Sequence, residues 1–124
     1  MLTFDETQDA LDELMYALPE GIFRKLNGGV ILRPDPLFDR NGLLILGQYH
    51  VDPYGLGRYV TINYGSLVNA HGHASHCRFI KALRKVLHHE LTHHLEHLAG
   101  DRSLEIEDAR NVQKMLAGKW RESL

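Results

Sequence analysis

The sequence predicts a small α+β domain, and three observations point to it. Apolar residues recur at helical spacing near the start. A middle stretch rich in β-branched and aromatic residues lies between glycine and proline breaks. Helical spacing then returns from about Ser75. With 124 residues, 44% of them hydrophobic, the chain suits one compact domain, 1–124, with a single core.

Each element has its own signal. Thr3 can cap a first helix, with Glu6 as the return partner of a capping box. Phe4, Leu11, Leu14, Met15 and Leu18 follow at helical spacing, and Pro19 ends the run. Ile22, Phe23 and Leu26 suit a short second helical piece, closed by the turn Asn27-Gly28-Gly29. Val30-Ile31-Leu32 reads as a strand stopped by Pro34 and Pro36, Leu43 to Tyr49 as a second, and Arg58 to Tyr64 as a third. The connection His50 to Gly57 reads as a long hairpin loop, with His50 an ordinary loop residue. Gly65-Ser66 breaks the pattern, and a short helical turn is expected before His71-Gly72-His73. Phe79, Ile80, Leu83, Val86, Leu87, Leu91, Leu95 and Leu98 then form one apolar stripe, which Gly100 terminates. Asp101 or Ser103 can cap a last helix carrying Leu104, Ile106, Ala109, Val112, Met115 and Leu116.

Composition narrows the function classes. Fourteen Lys and Arg against sixteen Asp and Glu give a formal net charge of -2, and no nucleic-acid partner is expected, since that needs a clustered basic surface. The apolar run Gly42 to Gly47 is too short to cross a bilayer, so no membrane partner is expected. The acidic start, Met1-Leu2-Thr3-Phe4-Asp5-Glu6, lacks the basic region of a signal peptide, and a cytoplasmic location is expected. The one cysteine, Cys77, cannot form an internal disulfide and reads as a buried small apolar residue.

Histidine is the exception to an ordinary composition. Of nine histidines, five (His88, His89, His93, His94 and His97) fall within one ten-residue stretch, and neutral imidazole is the commonest metal ligand. His89-Glu90-Leu91-Thr92-His93 is an H-E-x-x-H sequence inside the helical stripe. On a helix, residues four apart share a face, separated by roughly 6 Å along the axis. Both imidazoles can therefore meet one zinc ion, while Glu90 reaches a water in its open position as general base. His97 lies roughly 12 Å along the axis from His89, too far to share that ion. His88 and His94 point to other faces and read as surface groups or supports behind the ligands. His71, His73 and His76 are weaker loop candidates.

A catalytic zinc wants a third protein ligand. Asp101 can fold back from the turn after Gly100, although a helix cap is its plainer role. Asp108 comes level with the site if the last helix runs antiparallel, whereas Glu105 and Glu107 look like solvated first-turn acids.

Val86-Leu87-His88-His89-Glu90-Leu91-Thr92-His93-His94 resembles the core of the bacterial minimal metalloprotease-like proteins, the mini-zincins, which are similar to the Asp-zincins. The resemblance extends over most of the chain, through the acidic opening helix, Leu18-Pro19-Glu20 and the strand Leu44-Ile45-Leu46-Gly47-Gln48-Tyr49. It implies a minimal zincin-like fold, with a three- to four-stranded sheet packed on helices that include the motif helix. The Asp-zincin pattern H-E-x-x-H-x-x-G-x-x-D has Glu96 at its glycine and Ala99 at its aspartate here. With two residues inserted after His94, Asp101 falls at the aspartate, so the resemblance implies His89, His93 and Asp101 as metal ligands, with Asp108 next. The implied activity is zinc-dependent hydrolysis of peptide or amide bonds in a peptide or protein substrate laid along the sheet edge. Tyr49, Tyr59 and Tyr64 are candidates to support an oxyanion, although strand packing is the better expectation for each. A catalytically weak zinc-binding scaffold or regulatory module is the alternative, and a metal-free structural domain a third. Nickel, cobalt or iron also suit such ligands, and the oligomeric state stays open.

Overall fold

The computed structural model describes residues 1–101 and 106–117. Helix α1, Phe4–Tyr16, opens with the expected capping box: the Glu6 N–H donates to Thr3 Oγ1 at 3.1 Å, and the Thr3 N–H donates to Glu6 Oε1 at 2.9 Å. A 3-10 turn, Glu20–Phe23, then buries Ile22 completely.

Three strands follow: β1, Gly29–Arg33; β2, Gly47–Asp52; and β3, Gly57–Asn63. Their order is β1-β3-β2, with β1 parallel and β2 antiparallel to β3. Within this sheet β2 pairs on one side only, with β3. The second strand is displaced from its sequence expectation. Pairing runs from Gly47 to Asp52, so His50 belongs to the strand and the hairpin loop shrinks to 53–56. Upstream, Leu44 makes only an isolated bridge with Phe38. The cause is local: Gly57 takes φ +74, open to glycine, and the Asp52 carboxylate accepts from the Tyr54 N–H at 3.2 Å. Together they allow a tighter turn than proline and glycine spacing suggested.

Helix α2, Tyr64–His71, begins directly at the end of β3. Helix α3, His76–Ala99, is the spine of the domain. Ser75 Oγ accepts from the Arg78 N–H at 3.3 Å to start it, and Gly100 ends it. Its stripe of Phe79, Leu83, Leu87, Leu91, Leu95 and Leu98 is fully buried, each leucine contributing about 1.5–3 kcal/mol of transfer energy. Helix α3 packs against α1, α2, β2 and β3. Helix α4, Ile106–Leu116, closes over α3 and the 3-10 turn with Val112 buried. The result is an α+β fold of a three-stranded sheet and four helices, the fold class expected.

The register decides which strand residues meet α3. Tyr49 pairs with Val60 and Gly47 with Ile62, and these four share the face toward α3. His50 and Thr61 lie on the other face, where His50 Nε2 bonds Thr61 Oγ1 at 2.8 Å and its ring stacks on Tyr59 at 4.5 Å. Cys77 corrects the sequence reading: it is exposed, because it precedes Phe79 by two residues and so points away from the stripe. No described helix is long and apolar enough to cross a membrane.

Candidate metal centre

Helix α3 brings His89, Glu90 and His93 together: one ligand atom from each lies within 4.8 Å of the others. The His89 and His93 Nε2 atoms are 3.0 Å apart, with ring centroids at 4.5 Å and planes at 89°. Two imidazoles on a tetrahedral zinc place their nitrogens about 3.3 Å apart, from Zn–N bonds of about 2.05 Å. The observed 3.0 Å separation is therefore close to the spacing such an ion would require. Both histidines are exposed and Glu90 is buried, at 6%. The donor set of two imidazoles and a carboxylate fits a zinc-class cation.

Burial makes Glu90 a stronger base than a surface carboxylate. Desolvation raises its pKa, and His89 and His93 oppose that rise. Its cover comes from the edge strand, where Gly47 sits hard against the helix. A Cβ at Gly47 would lie 2.7 Å from Val86 Cγ1, 3.1 Å from Glu90 Cγ and 3.3 Å from Glu90 Oε2. Gly47 thus sets the distance between the sheet edge and the candidate base. Sequence reading placed Gly47 in a strand without giving it this role; the available signal was a glycine inside an apolar strand, which marks close backbone approach.

His94, expected at the surface or as support, is completely buried. Its Nε2 lies 2.7 Å from the Arg24 carbonyl oxygen, which can only accept, so Nε2 carries the proton. Nδ1 then accepts from the Tyr49 O–H at 2.7 Å. Burial lowers the His94 pKa, which favours the neutral ring, and it pushes Tyr49 up to about 12. This chain of bonds ties β2 to α3 one residue beyond His93. Of the three tyrosines, Tyr49 is committed to His94, Tyr64 donates to the Leu2 carbonyl at 2.6 Å, and Tyr59 stacks on His50.

The structure does not bring Asp101 into the group. Arg58 Nη2 donates to Asp101 Oδ2 at 3.0 Å, an ion pair only partly exposed at both ends. Glu105 and the side chains of Glu107 and Asp108 lie outside the described residues. His71, His73, His76, His88 and His97 are likewise not part of the converging set among the described residues. His97 leans on Tyr49 with ring centroids 5.9 Å apart.

Two depressions flank Glu90 along β2. One, of about 660 Å³, is lined mostly by apolar atoms of Leu44, Ile45, Leu46, Gly47, Ala82 and Val86 and is bordered by Lys81, Lys85 and His71. The other, of about 480 Å³, is formed by residues including Gln48, Val51, His93 and His97. The candidate centre thus sits midway along a path following the sheet edge.

No family model matches the chain, and no curated protein matches it. Among solved structures, the fold is similar to that of a conserved hypothetical protein from Thermus thermophilus, with a TM-score of 0.67 and 29% identity, over 79% of this chain and 98% of that one.

Proposed function

We propose that this protein is a metal-dependent peptidase or amidase of the minimal zincin type. The observation that supports it is the convergence of His89, Glu90 and His93 beneath the sheet edge at Gly47. In this reading His89 and His93 are the residues that would hold zinc. Bound zinc supplies an acidified water and a polarised carbonyl. Glu90 takes the water proton and later returns it to the leaving amine. Gly47, Tyr49 and Val51 offer main-chain groups to an extended substrate, because the Asn63 N–H bond to the Leu46 carbonyl fixes the alternation that turns them away from β3. Asp101, the third ligand implied by the resemblance, serves only if its carboxylate exchanges Arg58 for the ion.

That ion pair favours a second reading. Glu90 is the carboxylate that accompanies the two histidines, so it can itself be the third ligand, leaving a binding scaffold without a base. The Glu90→Gln variant separates the two. If Glu90 is the base, the variant keeps near-stoichiometric zinc and loses hydrolysis by at least a hundredfold, from the usual contribution of a general base. Loss of zinc with the carboxylate supports the scaffold, and retained turnover removes Glu90 from the chemistry.

A further inference from the structure

The charge distribution along α3 points to the kind of substrate the edge groove accepts. No acidic residue occurs between Asp52 and Glu90, whereas α3 alone places Arg78, Lys81, Arg84 and Lys85 within that span. The chain as a whole is mildly acidic, at -2, so this is a local concentration of cations. The composition gave no hint of it, because the compensating acids lie elsewhere in the sequence. Lys81 and Lys85 border the apolar groove, and with Arg84, His88, His89 and Thr92 they also line an adjoining hollow of about 700 Å³. Lys81, Arg84 and Lys85 make no ion pair among the described residues.

We propose that the groove beside Glu90 selects a polypeptide segment carrying an apolar side chain next to the metal centre and carboxylates farther along the same side. The proposal rests on the peptidase reading for its orientation toward the metal. Leu46, Ala82 and Val86 supply the apolar floor. The spacing of the carboxylates follows from the helix. Lys85 precedes His89 by one turn, about 6 Å, and Lys81 by two turns, about 12 Å. An extended peptide advances about 3.3 Å per residue, so acids about two and four residues from the reacting bond come level with the two lysines. Those alternate positions share one face of a strand, which is the face that meets α3. A polypeptide fits better than a nucleic acid, because the basic groups flank an apolar trough and a free strand edge. Neither hollow is lined by a phenylalanine, tyrosine or tryptophan ring; the only rings they offer to a base are the imidazoles of His71, His88 and His89.

The test measures binding to the zinc-loaded full-length Glu90→Gln variant by fluorescence anisotropy, so no turnover is needed. The probes are C-terminally amidated peptides with a central leucine and glutamates at the second and fourth positions on both sides, which removes any dependence on direction. Glutamine and lysine versions serve as controls. The acidic peptide should bind at least tenfold more tightly than the glutamine version, and raised salt should erase the difference. The Lys81→Glu, Lys85→Glu double variant should lose that preference and favour the lysine version. A glutamine peptide with a free C-terminus tests whether a terminal carboxylate substitutes for the side chains; binding as tight as the acidic peptide assigns the lysines to a chain end. Equal binding of all the peptides overturns the proposal, as does tighter binding of a single-stranded oligonucleotide of matched charge. Cleavage by the unaltered protein without acidic preference also overturns it while leaving the peptidase reading intact. Selective binding without cleavage by the unaltered protein has the opposite effect.

Discussion

Gly47→Ala tests the close approach of β2 to α3. The new methyl would lie 2.7 Å from Val86 Cγ1, where unstrained carbon contacts sit at about 3.5–4.0 Å. Roughly 1 Å of overlap must therefore be relieved. Gly47 does not use a positive φ, so alanine introduces no backbone strain of its own. Overpacking of this kind costs about 1–3 kcal/mol, partly offset by about 0.5 kcal/mol from the reduced freedom of the unfolded chain. The expected net loss is about 1–2 kcal/mol, or roughly 3–8 °C in melting temperature at this chain length. Urea unfolding of the zinc-free protein measures it. Removing the obstructing methyls with Val86→Ala supplies the control: the pair should couple favourably by about 1 kcal/mol, because Val86→Ala makes room for the new Cβ. The methyl also presses on Glu90, at 3.1 Å from Cγ and 3.3 Å from Oε2. In the peptidase reading, hydrolysis should fall at least tenfold while zinc, held by His89 and His93, stays near-stoichiometric. A Gly47→Ala protein with unchanged stability and no coupling to Val86 would show that the strand does not abut the helix as described.

Three further outcomes follow from the same geometry. Tyr49→Phe removes the donor to the buried His94 Nδ1 and should cost about 1–3 kcal/mol, measured by denaturant unfolding; a neutral result means the bond is not made. His94 has a lowered folded pKa, so below the unfolded value of about 6.5 the unfolded chain binds the extra proton. Its contribution is complete above that value and is lost as pH falls toward the folded pKa, so the pH slope of stability just below 6.5 should flatten in His94→Gln. Asp101→Asn should change zinc affinity less than threefold if the Arg58 pair persists on loading, against a loss above a hundredfold for His93→Ala; comparable losses in a zinc titration would show that Asp101 leaves Arg58 for the ion.

What the sequence revealed follows periodicity. The α3 stripe, the motif pair four residues apart and the Thr3–Glu6 cap are local patterns, so neighbouring residues suffice to read them. The limits of β2 were harder, because pairing is decided across the sheet: Asp52 meets Gly57 only when the turn between them is as tight as Gly57 permits. His94 shows the same limit on a helix. By period it lies near Leu87, Leu91 and Leu98, yet the sequence reading, which turned it to a face other than that of the ligand pair, left open whether it was a surface group or a support. Two partners distant in sequence, Tyr49 and the Arg24 carbonyl, make its burial tolerable. Two histidines next to each other therefore receive opposite environments from the same helix: His93 faces outward beside His89, and His94 faces inward to hold β2 in place. The strand so held carries Gly47, and Gly47 covers Glu90. The edge-strand tether and the candidate base are thus coupled through packing, and a change at Tyr49 or His94 should reach Glu90 through the position of β2 as well as through stability.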